Sequence, residues 1–249
     1  MDHPKLNYQF QEKDARDFKY LKTVSPKFLS KLPSQFSLQN RIGIILDQGN
    51  IGSCVSNAFA LCINMLTNKH VLISRLFHYY CGRAIGGDSS ILDTGLNIRM
   101  AANIILKFGA CAEQRWPYVT ANYSELPPLG VFKASKLFKK YNYTFITQDL
   151  ISLKSCLLVS KSPVLFGVYL YDSFFKSKNG VIPMPNVSTE QLQGGHCMLI
   201  IGYNDATQRF TCANSWGSSW GVRGLCYIPY AYLLDSNLAA DFCQLNFIF

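Results

Sequence analysis

The sequence predicts an α+β fold in two lobes, helical first and strand-rich second. Three observations carry that expectation. Apolar residues recur at helical spacing between Val55 and Leu106, and candidate strands cluster after Pro127-Pro128. The chain of 249 residues is 49% apolar, enough for one large core or two modest lobes around a cleft.

The chain opens with residues 1–32, a polar and weakly periodic arm that ends in Ser25-Pro26 and Leu32-Pro33. Two readings of the arm stay open, a cleavable inhibitory segment and an ordinary terminal extension. The folded body is expected over 33–249, with a helical lobe over about 33–150 and a strand-rich lobe over about 151–249.

The first helix begins after Gly49 and Gly52, where Val55, Ala58, Phe59, Cys62, Ile63 and Leu66 mark one buried face. Ser53 is its expected N-cap. Leu76, Phe77, Tyr80, Cys81 and Ala84 predict a second helix, and Ile98, Ala101, Ala102, Ile105 and Leu106 a third that Gly109 stops. Strands are expected at Val164 to Tyr171, Cys197 to Tyr203, Arg209 to Ala213 and Leu225 to Ile228. An alternating Cys243, Leu245, Phe247 and Phe249 predicts a last one. No repeat or low-complexity tract interrupts this order.

The formal charge of +9 comes with 24 Lys and Arg that are scattered, only Lys139-Lys140 being adjacent. This reads as a solvated surface rather than a nucleic-acid site, since no basic run interleaves with aromatics. The nine cysteines form no CxxC pair, which argues against a zinc knuckle or a redox dithiol. Their odd number leaves an unpaired thiol in the expected monomer, and most are expected to be buried and reduced. The longest apolar stretches fall far short of the roughly 20 residues a membrane span needs, and Met1 to Tyr20 lacks the apolar core of a secretory signal. The expectation is a cytosolic protein, or one whose leader lies upstream. No cofactor or metal is expected.

Cys54 falls at the first turn of the first helix, in Asp47-Gln48-Gly49-Asn50-Ile51-Gly52-Ser53-Cys54. Unpaired N–H groups and the positive end of the helix dipole there favour a thiolate, the nucleophilic form. A lone Cys is most often a buried structural residue, but the glycine-rich approach weakens that reading. His196 is the single histidine of the second half, in Gly194-Gly195-His196-Cys197-Met198 at the head of an apolar strand. From there it can face a cysteine across a cleft as its base. Eighteen residues later comes Asn214-Ser215-Trp216-Gly217-Ser218-Ser219-Trp220-Gly221. An Asn can hold one imidazole nitrogen and leave the other toward the sulfur.

These three segments, in this order, resemble the signatures of papain-like cysteine peptidases. Trp116-Pro117-Tyr118 and Asp93-Thr94-Gly95 add to the likeness, the latter similar to a variant of bacterial and large-DNA-virus members with short N-terminal segments. The resemblance implies a helical lobe that presents Cys54 across a cleft from an antiparallel, β-barrel-like lobe that presents His196 and Asn214. It also implies a cysteine endopeptidase acting on a peptide or protein substrate through an acyl-enzyme. Gln48 and the Cys54 N–H would hold the oxyanion, and Trp216 would shield the Asn214 to His196 bond. Gly52, Gly95, Gly195 and Trp220 would contact substrate, Gly95 by its backbone. The arm would be the chain's own intramolecular inhibitor, and a viral origin would place the protein in the host cytoplasm or the virion. Ile51 and Val55 stand where many members have a disulfide cysteine and an aromatic residue, and Gly195 where plant members have Asp. Two other readings remain: a catalytically silent peptide-binding module, and an acyl transferase with an amine acceptor.

Overall fold

Two long strands organise the molecule. The computed structural model describes residues 4–14, 32–87, 92–135 and 141–247. Strand β3 (Val164–Tyr171) and strand β4 (Leu192–Asn204) pair antiparallel from Val164↔Ile200 to Val168↔His196 and on to Leu170↔Gly194. Their central stretches, 164–168 and 197–201, are apolar and buried because both faces are covered there. Strand β7 (Ala239–Phe247) flanks β3 and pairs outward with β2 (Tyr141–Phe145). On the other side β5 (Arg209–Ala213) and β6 (Leu225–Pro229) continue the sheet. The short β1 (Gln35–Ser37) joins the far end of β4, where Gly202 leaves room for the Phe36 carbonyl.

Among the described residues the sheet has seven strands in the order β2-β7-β3-β4-β5-β6, with β1 added on β4. It is open: among the described residues β2 and β6 do not pair with one another. The barrel-like lobe implied by the resemblance is therefore a curved, unclosed sheet. Its bulges at Leu170/Tyr171, Leu165/Gly167 and Ile200/Gly202 bend it without joining its ends. Strand β4 starts before Cys197 because Leu192 to Gly195 already pair with β3, so His196 lies inside the strand and not at its head. The expected alternation in the last strand is lost too, since Phe242 to Leu245 are all buried, and Phe249 lies outside the described residues.

Helix α1 (Cys54–Leu66) runs between this sheet and the helices α2 (Arg75–Ile85) and α3 (Ile98–Phe108). It is buried from Cys54 to Met65 on every side, rather than on one face, as expected of a helix covered all round. Of its inward polar groups, Ser56 Oγ lies 3.0 Å from His78 Nδ1 and Asn64 Nδ2 donates to the Val71 carbonyl at 3.0 Å, while Asn64 Oδ1 has no hydrogen-bond partner among the described residues. Ser74 caps α2 by accepting from the Phe77 N–H, and Asn97 caps α3 by accepting from the Met100 N–H. Leu106, expected inside, is 41% exposed because Ile104 and Ile105 take the buried face of α3. None of the nine cysteines is in a disulfide, and all nine are buried.

Candidate active site

Cys54 is the first residue of α1 and is fully buried. Ser53 precedes the helix as expected but does not cap it with its side chain. The hydroxyl is engaged elsewhere, 2.5 Å from the Tyr118 hydroxyl, and it accepts from Asn57 Nδ2 at 3.0 Å. Tyr118 donates its own proton to the Gln48 carbonyl at 2.9 Å, so it accepts from Ser53. The Arg75 guanidinium lies 3.7 Å over the Tyr118 ring and donates to Asn57 Oδ1 at 3.0 Å. This network ties the Gln48 segment to the start of α1 from beneath.

Across from α1, β4 presents His196 and the end of β5 leads into Asn214. His196 Nε2 and Asn214 Oδ1 are 2.7 Å apart, both side chains buried. The roles follow from the backbone. The Ser215 N–H, which can only donate, points at the same Asn214 oxygen at 2.8 Å. That atom is therefore the carbonyl oxygen, and Nε2 must carry the proton it donates. Nδ1 is left as the ring's open nitrogen, without a hydrogen-bond partner among the described residues. The next residue along the strand, Cys197, offers its N–H to the Cys54 sulfur. Trp216 packs on the imidazole with ring centroids 4.9 Å apart and is itself stacked on Phe175 and met edge-on by Trp220. These indoles keep water away from the His196–Asn214 bond.

Gln48 stands beside them, fully buried and oriented by Ser215, whose hydroxyl donates to Gln48 Oε1 at 2.8 Å. Its amide nitrogen is thereby turned outward to the Ile51 and Lys5 carbonyls, each at 3.1 Å. Ser215 carries no signal of its own in the sequence beyond its place in the Asn-Ser-Trp run.

Lys5 belongs to the arm, and its neighbours pass directly through the cleft. The Tyr8 N–H donates to the Gly195 carbonyl at 3.0 Å and the Gln9 N–H to the Leu96 carbonyl at 3.1 Å, in two parallel bridges, one to each lobe. The glycines named from the sequence make room for this passage. A Cβ at Gly95 would stand 1.7 Å from the Asn7 carbonyl, and Gly95 holds φ +84, a conformation that favours glycine. Gly52 and Gly195 are crowded by Asn7 and Tyr8 in the same way. The Gly95 N–H, however, turns inward to the Tyr79 hydroxyl, so the carbonyl that pairs with the arm is that of Leu96. Trp220 stacks on Phe174 and reaches the site through Trp216.

Tyr8 enters a pocket of the strand lobe, 6% exposed, with Gly167 against its ring and its hydroxyl donating to Asp241 Oδ2 at 2.6 Å. Lys5 Nζ pairs with Asp93 Oδ2 at 2.8 Å. Neither Tyr8 nor Asp241 is recognisable in the sequence, because the arm has no periodic pattern and the pocket is assembled from β3 and β7.

With the arm in place the electrostatics invert the expectation for Cys54. Burial pushes its thiol up to about 12, against the N–H groups of Cys197, Val55 and Cys54 that favour the thiolate. Burial likewise pushes His196 down to about 4, with the Asn214 bond opposing. Desolvation outweighs the helix terminus here and favours the neutral thiol and the neutral imidazole. No group of three or more His, Cys, Asp or Glu among the described residues could hold a metal ion, and no described helix is long and apolar enough to cross a membrane.

Comparison with known proteins agrees with this geometry. An uncharacterised peptidase C1-like protein of Acanthamoeba polyphaga mimivirus is 33% identical over 94% of this chain and 80% of its own. Xylellain, a cysteine protease from Xylella fastidiosa, superposes with a TM-score of 0.90 at 32% identity, covering 100% of this chain and 99% of its own. Digestive procathepsin L 3 of Tenebrio molitor larval midgut shares the fold, with a TM-score of 0.70 at 18% identity over 92% of this chain and 72% of its own. The sequence pattern of the papain family cysteine proteases matches residues 32–239. The chain belongs to the papain family of cysteine proteases.

Proposed function

We propose that the chain is a cysteine endopeptidase made as a zymogen, in which Cys54 attacks a peptide carbonyl and residues 4–14 hold the cleft closed until they are displaced. His196 Nδ1 takes the Cys54 thiol proton, and the thiolate adds to the carbonyl carbon. The oxyanion is held by Gln48 Nε2 and the Cys54 N–H. His196 then protonates the leaving amine, and water hydrolyses the thioester with His196 again as base. Asn214 keeps the imidazole in the tautomer this requires, and Ser215 keeps the Gln48 amide nitrogen toward the substrate.

The observation that carries the reading is the peptide already in the cleft, whose Lys5 carbonyl accepts from Gln48 Nε2 at 3.1 Å. A carbonyl held by that donor is what an oxyanion site is built to receive. The arm adds to the burial that disfavours the charged forms of Cys54 and His196, so on this reading its departure opens the cleft and eases formation of the thiolate. The test is labelling of Cys54 by an epoxide or vinyl sulfone peptide probe, read by mass spectrometry. The full chain, a chain lacking residues 1–32 and the His196→Ala variant of each are compared. Labelling that depends on His196 and rises without the arm is expected. Folded protein of both lengths that leaves Cys54 unmodified would sink the proposal and leave the silent binding module.

A further inference from the structure

Arg75, the first residue of α2, is not one of the reacting groups, yet its guanidinium meets both halves of the oxyanion site from below. Its side chain is 11% exposed and is paired with Glu113, itself 13% exposed, through Nη2 at 2.7 Å and Nε at 3.0 Å to Oε1. The Arg75 backbone N–H donates to Glu113 Oε2 at 3.0 Å, which fixes the pair to the start of α2. An ion pair this buried contributes little to stability beyond what packed apolar side chains would give, and so points to the groups it holds.

The remaining nitrogen, Nη1, faces the two segments that carry the oxyanion donors. On one side it donates to the Asp47 carbonyl at 3.1 Å. The Tyr118 ring, 3.7 Å from the guanidinium carbon, places its hydroxyl to donate to the next carbonyl, that of Gln48, at 2.9 Å. The helical lobe thus holds two consecutive carbonyls, while Ser215 holds the Gln48 N–H at 2.8 Å and Oε1 at 2.8 Å from the strand lobe. On the other side Nη1 donates to Asn57 Oδ1 at 3.0 Å. A guanidinium only donates, so that atom is the amide oxygen and Asn57 Nδ2 is turned to the Ser53 carbonyl, which it reaches at 3.1 Å. The Ser53 carbonyl and the Cys54 N–H belong to one planar trans peptide, so holding the oxygen aims the N–H the opposite way.

We infer that Arg75 is a positioning residue that sets the distance and direction between the two oxyanion donors, Gln48 Nε2 and the Cys54 N–H, with Tyr118 as its partner at Gln48. The inference rests on the peptidase reading above and adds a residue to its machinery. One rigid fork, anchored on Glu113, reaches both donors at one remove, which a flexible lysine ammonium does not reproduce. A donor misplaced by about 1 Å can cost about a hundredfold in rate.

The test uses the full chain with Tyr8→Ala, which loosens the arm without touching Arg75. Into it go Arg75→Lys, which keeps the charge and loses the fork, and Arg75→Met with Glu113→Gln, which leaves no unpaired carboxylate buried. Peptide hydrolysis is compared with alkylation of Cys54 by iodoacetamide, a displacement at carbon that needs the thiolate and forms no oxyanion. Expected in the double replacement is a kcat lower by about ten- to a hundredfold with KM within about threefold, and a smaller fall, at least about threefold, in Arg75→Lys. The alkylation rate and its pH dependence should stay within about threefold of the Tyr8→Ala parent, a split that a merely structural role would not produce. With Gln48→Ala also present, the double replacement should cost at least about threefold less than it does with Gln48 in place. Should the double replacement fail to fold, Arg75→Lys carries the same comparison. An unchanged kcat, an equal fall in hydrolysis and alkylation, or full additivity with Gln48→Ala overturns the assignment. A Tyr8→Ala parent that is alkylated at Cys54 yet hydrolyses no peptide would instead overturn the peptidase reading beneath it.

Discussion

Tyr8 is the residue on which arm docking turns, and its removal has a calculable effect. The ring is 6% exposed, meets Phe10 edge-on at 4.9 Å, and sits so close to Gly167 that a Cβ there would be 2.1 Å from it. Truncating a buried aromatic to alanine costs about 3–5 kcal/mol. At about 1.4 kcal/mol per factor of ten, Tyr8→Ala should raise the population of open cleft by roughly a hundred- to three-thousand-fold, up to the ceiling of an unobstructed site. Tyr8→Phe keeps the ring and loses only the bond to Asp241 Oδ2 at 2.6 Å. A hydrogen bond to a charged group is worth about 1.5–3 kcal/mol, so this milder variant should gain roughly ten- to a hundredfold. The assay is the second-order rate of Cys54 labelling by a peptide epoxide, with circular dichroism to establish folding. A folded Tyr8→Ala chain labelled within about threefold of the parent rate would refute the idea that the arm guards the sulfur.

Gln48→Ala in the Tyr8→Ala background should lower kcat by about a hundred- to a thousandfold, the cost of one oxyanion donor of about 2.7–4 kcal/mol, with little change in KM. A fall confined to KM would remove Gln48 from that role. Acid should destabilise the arm-closed chain for a reason separate from catalysis. Burial lowers both His78 and His196 from an ordinary 6.5 to about 4, so below pH 6.5 the unfolded chain takes up protons that the folded one refuses. Stability is thus full above pH 6.5 and falls as the pH drops toward 4, by about 1.4 kcal/mol per pH unit for each histidine. Urea denaturation between pH 7 and 4 checks this. His78→Gln should remove about half of the histidine-dependent slope, and an unchanged slope would contradict the assignment.

Much of the site was legible in the sequence because its chemistry is local. Cys54 sits where a helix begins, Gln48 six residues earlier, and Asn214 in a compact Trp- and Gly-rich turn, each marked by residue type and spacing. The strand ladder was legible in outline from apolar runs, yet not in extent. Gly194 and Gly195 have poor strand propensity, and only pairing with β3 draws them into β4 and sets His196 inside it. Helix α1 shows the same limit: its apolar face was readable, but burial on every side depends on what packs against it.

What the sequence by itself determined is the order of elements, the family signatures and the identity of the reacting groups, since these reside in short stretches of chain. Only the tertiary structure decided which of two tautomers His196 adopts, where Ser215 turns Gln48, and that an unpatterned arm lies across them all. It also decided which charge state of the pair is favoured, because desolvation depends on every atom within reach, and Tyr8 lies 46 residues from Cys54 and 188 from His196 along the chain.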